Sequence, residues 1–114
     1  MYRPAGFLHD LYLSRWGIGP DSAERIAGQI LNRPFDDDGH PLPSGDLNTS
    51  PPLETFRQLV EKGVPVIGIC AARDEWTADT TRAALAAIRG RLINCLVTDA
   101  ETAINLLAKS AHPV

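Results

Sequence analysis

The sequence lacks a basic excess and a long hydrophobic run. Its 114 residues include 11 Lys and Arg against 14 Asp and Glu, which gives a net charge of −3. Because nucleic-acid-binding domains neutralise phosphates with a positive surface, this balance predicts no direct binding to nucleic acid. No apolar run approaches the ~20 residues that span a bilayer, so we expect no membrane-spanning segment.

Cysteine is scarce, and a secretory signal is not visible. The two cysteines, Cys70 and Cys95, each lie in an apolar, β-branched run. Thiols in such runs are typical of small buried side chains in a reducing compartment. Residues 1–10 contain no basic segment followed by an apolar core, which is the pattern of a signal peptide. The sequence therefore predicts a cytoplasmic protein.

Metal-ligand spacing is also missing. The three histidines, His9, His40 and His112, are scattered along the chain, without the Cys and His spacing of zinc sites. The acidic run from Asp36 to Asp38 lacks the spaced ligands and the glutamate of a calcium-binding loop, and it is more typical of a solvated turn. We expect no metal site and no cofactor.

The chain divides into two regions within what we expect to be a single domain. Residues 1–49 are rich in turn formers and contain an N-terminal arm, a helix and an irregular loop. Asp21 and Glu24 form a capping-box pattern, and apolar residues then recur at helical spacing, which predicts a helix over residues 21–32. Residues 7–16 are predicted to form a short helix or a partly ordered arm.

Residues 50–114 alternate between helical and strand patterns. The predicted helices cover residues 50–63, 77–89 and 99–109, and the predicted strands cover residues 64–70 and 92–98. Strands joined by a helical crossover are parallel, so the predicted fold class is α/β, with a Rossmann-like parallel sheet and flanking helices. Both strands are apolar on both faces, as in a sheet buried between helical layers.

Ligands of open parallel sheets bind beyond the carboxyl ends of the strands. Here these ends are the loop from Cys70 to Trp76 and the turn at Asp99. Ala71 and Ala72 are small enough to let a ligand approach the backbone, and the start of the next helix favours an anion. Arg73 could bind a phosphate or a carboxylate. Small side chains that merely allow tight packing explain this loop equally well.

Several runs of the sequence resemble the end of the sugar-binding domain of SorC-type bacterial transcriptional regulators. They extend from Val66 to Glu75, from Thr81 to Gly90 and from Leu92 to Ala103. Upstream, residues 28–39 resemble a second motif of that family. The similarity covers most of residues 26–109. Its carboxyl-terminal part is the more specific, because the order, the spacing and the Thr-Asp pair at the strand end all agree.

This resemblance implies a fold related to ribose-5-phosphate isomerase and glucosamine-6-phosphate deaminase. It also implies an effector-binding module that takes a sugar or a sugar phosphate and assembles as a homodimer or a higher homo-oligomer. The helix-turn-helix and the first half of the sensing domain have no counterpart here, so we expect the carboxyl-terminal half only. The candidate ligand-binding residues are Gly28, Gln29, Asp36, Cys70, Ala71, Ala72, Arg73, Glu75 and Asp99.

Departures from the family pattern leave the ligand open. Glu75 stands where the family has lysine, and Gln29 stands where it has aspartate. A glutamate would repel a phosphate held beside it, so Arg73 takes over the anion, the ligand is neutral, or no ligand binds. The alternatives are a dimerisation remnant without a ligand and, less favoured, an isomerase-like enzyme with Glu75 or Asp99 as the base. We expect the chain not to be an enzyme.

Overall fold

A computed structural model describes residues 23–43, 49–72 and 77–110, and these form a small α/β arrangement of three helices and two small sheets. In chain order the elements are β1 (Gly28–Ile30), β2 (Arg33–Phe35), α1 (Leu53–Glu61), β3 (Ile67–Ile69), α2 (Thr77–Arg89), β4 (Cys95–Val97) and α3 (Ala100–Ser110). The short helix or arm predicted over residues 7–16 lies outside the described residues.

The second half of the chain follows the predicted order of elements. Strands β3 and β4 pair in parallel, with Ile67 opposite Cys95 and Ile69 opposite Val97. Helix α2 is the crossover between them, so the predicted βαβ connection is confirmed. The strands are shorter than predicted, because the segments that precede them are joined by a side chain and not by strand pairing. The Asn94 side chain accepts from the Val66 N–H at 2.8 Å and donates to the Val64 carbonyl at 2.9 Å.

The helix predicted over residues 21–32 is wrong in its second half, because residues 28–32 form the first strand and the turn of a β-hairpin. Strands β1 and β2 pair antiparallel, with Ile30 opposite Arg33. Leu31 and Asn32 make the two-residue turn with φ of 48° and 65°, and two positive φ values are typical of the turn that suits a hairpin's twist. Pro34 follows, and proline is tolerated here because both strands of a two-stranded sheet are edge strands.

One face of the parallel sheet is bare, contrary to the prediction that both strands are buried on both faces. Ile67 is 58% exposed, Ile69 80% and Val97 53%. Side chains alternate between faces, so Cys95 lies on this face too and is exposed, and Cys70 is only half-buried. The prediction of two buried thiols is therefore wrong. The opposite face contacts the core, where Gly68 lies against Ile93.

The core lies between helix α2, the hairpin and helix α1. Its buried members are Ala27, Phe35, Leu53, Ala86, Ala87, Leu92 and Ile93. Alanines on α2 let the hairpin approach closely: a Cβ placed on Gly28 would lie 2.8 Å from the Cβ of Ala83. Arg57 of α1 links the end of α2 to the turn after β2, because it donates to the Gly90 carbonyl at 2.9 Å and to the Gly39 carbonyl at 3.2 Å.

The helix faces differ in part from the predicted ones. The apolar spacing of residues 77–89 and 99–109 predicts that Ile88, Ile104 and Leu107 face the core, but all three are exposed. Small residues take the inward positions instead, since Ala84, Ala86 and Ala87 are the buried apolar residues of α2. Among the described residues, no helix combines the length and the apolar character needed to cross a bilayer.

We predict that Gly39→Ala destabilises the fold much more than Gly63→Ala. Both glycines have positive φ, 77° and 78°, so the alanine backbone is strained at each position, by about 1 kcal/mol or somewhat more. At Gly63 a Cβ meets nothing within 4 Å, whereas at Gly39 it would lie 2.5 Å from the Cα of Gly90. This clash should bring the loss in the free energy of unfolding of Gly39→Ala to about 3 kcal/mol.

Urea unfolding of the two variants beside the unmodified protein measures both losses. Equal losses in the free energy of unfolding would contradict the close packing of the turn after β2 on the end of α2.

Candidate functional site

The loops that follow the two parallel strands meet at the carboxylate of Asp99. One oxygen, Oδ2, accepts the backbone N–H of Ala72 at 2.7 Å. The same oxygen accepts the hydroxyl of Thr102 at 3.0 Å, and Oδ1 accepts the backbone N–H of Thr102 at 2.8 Å. Asp99 is thus the N-terminal cap of α3, as predicted, and it also holds the loop after β3.

These hydrogen bonds fix the charge state of Asp99. The backbone N–H of Ala72 lowers the pKa of this carboxyl most, and the backbone N–H of Thr102 lowers it further. A carboxylate that already accepts three hydrogen bonds and has a lowered pKa is a poor proton acceptor. The geometry therefore does not favour Asp99 as the base of an isomerase.

The residues around this point include three of the predicted site residues from the loop after β3. The Sγ of Cys70 donates to the Thr98 hydroxyl at 3.6 Å, so this thiol also links the two strand ends. Ala71 is exposed, and Ala72 is half-buried beneath Asp99. Arg73 and Glu75, the charged members of the predicted site, lie outside the described residues.

The predicted site residues of the hairpin do not join this cluster directly. Gly28 is buried against α2, where its missing side chain allows the close approach described above. Gln29 is exposed and lines a cleft together with Cys70, so the cleft connects the hairpin with the strand ends. Asp36 lies in neither place, because it is held in its own turn.

That turn places three ligand-type side chains together. Asp36 Oδ1 accepts the N–H groups of Asp38 at 3.0 Å and His40 at 2.9 Å, and Oδ2 lies 3.6 Å from Nδ1 of His40. The three side chains offer ligand atoms within 4.8 Å of one another. Asp38 and His40 are exposed, and the hydrogen bonds of the turn account for the grouping without an ion.

The cleft has a volume of about 410 Å³, within the ~300–1,000 Å³ of small-molecule pockets. Residues 29–31 of the hairpin lie along one side, residues 66–70 lie along the other, and the floor includes Ala84, Ala87 and Leu92. Among the described residues that line it there is no charged side chain, and the side-chain polar groups are the amide of Gln29 and the thiol of Cys70.

The sequence did not predict this cleft, because the predicted helix over residues 21–32 took the place of the hairpin. Gly28, which is unfavourable in the interior of a helix, is the signal in the sequence against that helix.

Comparisons of the chain with protein-family models, with curated proteins and with solved structures found no match. The functional argument therefore depends on the site itself.

We predict that Asp99→Asn weakens both the cap of α3 and its link to the loop after β3. The amide keeps one acceptor oxygen but replaces the other with a donor, which cannot accept from Ala72. Amide hydrogen exchange should accelerate at Ala72 and at Thr102. Asp38→Asn, which removes the same charge from an exposed turn, should leave both exchange rates unchanged.

The loss of stability caused by Asp99→Asn should depend on pH. Because the pKa of Asp99 is lowered in the folded protein, its stabilisation is complete above the ordinary aspartate pKa of about 3.9 and is lost as the pH falls through the lowered value. The difference in unfolding free energy between Asp99→Asn and the unmodified protein should therefore shrink in acid. A difference that stays constant from neutral pH to pH 2 would contradict this assignment.

Proposed function

We propose that the chain is an effector-binding module that takes a sugar or a sugar phosphate, with a Rossmann-like sheet extending from the β3–β4 pair. The observation that carries this proposal is the hydrogen bond between Ala72 and Asp99. It brings the loops after both parallel strands to one point, which is where ligands of open parallel sheets bind. The resemblance to SorC-type regulators concerns the same residues.

The strand ends fit a sugar better than the cleft does. A sugar needs several hydrogen-bonding groups, because each hydroxyl that loses water without a partner weakens binding. The described side chains of the cleft offer a single amide, at Gln29, whereas the strand ends offer the half-buried hydroxyl of Thr98 and open backbone at Ala71. Arg73 and Glu75 follow directly in the sequence and supply the charges that decide between a neutral and a phosphorylated ligand.

We predict that Glu75→Lys strengthens the binding of sugar phosphates and that Arg73→Ala weakens it. The lysine removes a repulsion and adds an attraction in the loop that precedes α2, and a change of this kind corresponds to about tenfold or more in affinity. Titration calorimetry with a panel of sugars and their phosphates measures both effects.

Glu61→Lys is the matched control, because it makes the same change in net charge at the end of α1, which precedes the amino end of β3. If Glu75→Lys binds every phosphorylated sugar no better than Glu61→Lys, the anion site is not in this loop.

A second candidate function is association without a ligand, which we predicted as an alternative. It is favoured by the bare sheet face, on which Ile67, Ile69 and Val97 expose apolar surface. Contiguous exposed apolar surface of this kind is typical of contact sites, because covering it removes apolar area from water.

We predict for this candidate that Val97→Lys shifts the chain towards the monomer. The lysine would place a charge in the middle of a covered apolar face, which is costly without a partner. Sedimentation velocity across the micromolar range measures the shift. Leu107→Lys changes an apolar residue on α3 that is more exposed than Val97, and it should leave association unchanged. A protein that is monomeric throughout this range without any substitution would rule this candidate out.

A further inference from the structure

Strand β3 has one edge that no other strand of the described residues pairs with. The N–H of Cys95 donates to the Val66 carbonyl at 3.3 Å, and the N–H of Cys70 donates to the Val97 carbonyl at 3.0 Å. In a parallel ladder every second residue of a strand bonds to a given neighbour, so residues 66, 68 and 70 face β4. The N–H and carbonyl groups of Ile67 and Ile69 therefore point away from β4. Among the described residues, no strand pairs with them there.

This free edge lies along the cleft. Residues 66–70 form one side of it and residues 29–31 form the other, with the small side chains of Ala83, Ala84 and Ala87 of α2 among its lining. Helix α2 thus lies against the parallel sheet and also against strand β1. The space between β1 and β3 is open and forms the cleft. Five residues of a strand extend over about 16 Å, which is enough for a partner strand of similar length.

We propose that this cleft binds an extended segment of a partner polypeptide, which adds to the edge of β3 as a third strand. The segment would be uncharged, with small or β-branched apolar residues at the positions that face the floor. The backbone groups of Ile67 and Ile69 would supply the affinity, and the floor would select the side chains. This site is distinct from the proposed sugar site, although Cys70 borders both.

The free backbone groups favour a polypeptide over a small apolar molecule. An apolar molecule in the cleft would cover the N–H and carbonyl groups of Ile67 and Ile69 without bonding to them, and such groups are costly when they lose water. A peptide backbone carries donors and acceptors at the same spacing and satisfies all of them. The described lining carries no charged side chain, so it offers no ion-pair partner to a charged segment and suits an uncharged one.

The probe is a fluorescein-labelled peptide of alternating valine and threonine, with one lysine at each end for solubility. Fluorescence anisotropy with the whole chain measures its binding. The peptide with every valine and threonine amide methylated keeps the side chains but loses the backbone donors between its two lysines, so it should not bind. This comparison uses the unmodified protein and so does not depend on the folding of any variant.

Ile69→Pro removes one donor from the free edge and leaves the ladder to β4 in place, because the N–H of Ile69 points away from β4. The preceding residue, Gly68, is already extended, as a residue before proline must be. We expect Ile69→Pro to weaken peptide binding by about tenfold, as for the loss of one hydrogen bond. Ile69→Val keeps the donor and should bind as the unmodified protein does.

Three results would overturn the proposal. The first is a protein that binds neither peptide. The second is equal binding of the methylated peptide, which would mean that the cleft takes apolar groups of any kind. The third is self-association that Ile69→Pro abolishes without peptide present, which would make a second copy the occupant. The calorimetry with sugar phosphates uses other residues and other ligands, so its failure leaves this test unaffected.

Discussion

The close packing of small residues on helix α2 is the constraint on which the rest of the structure depends. Gly28 lies against Ala83, and Gly39 lies against Gly90 just beyond the end of the helix. With side chains any larger, the hairpin could not come close enough for Phe35 and Ile26 to be buried. In a chain of this size a few such contacts carry much of the core, since there is little other interior to compensate.

The same packing determines where the candidate sites lie. Because α2 supports both the hairpin and the parallel sheet, it keeps strands β1 and β3 apart, and the cleft is the space left between them. The site at the strand ends is held together separately, by the hydrogen bonds that the carboxylate of Asp99 accepts. One residue, Cys70, belongs to both places, because it lines the cleft and its thiol donates to Thr98. A ligand at the strand ends and a strand in the cleft would thus share a boundary at β3.

Charge has a structural part in this arrangement as well. Arg82 of α2 donates to both oxygens of Asp37, at 2.6 Å and 3.1 Å, and to the Glu24 carbonyl at 3.0 Å. This contact lowers the pKa of Asp37 and fastens the turn after β2 to the helix. The acidic run that includes Asp37 therefore has a clear structural role, in which one aspartate closes a turn and the next one binds an arginine.

The sequence by itself determined the helices and strands of the second half, because apolar spacing, Gly63 and the cap at Asp99 are local signals that agree with one another. It also predicted that the strand ends meet, since parallel pairing requires it. Only the tertiary structure decided the hairpin, for Ile26, Ala27 and Ile30 fit a helical period as well as a strand buried on α2. Tertiary structure also decided which apolar residues are exposed to solvent. Ile69 is as apolar as any core residue, and its exposure depends on how distant segments pack, which no local pattern encodes.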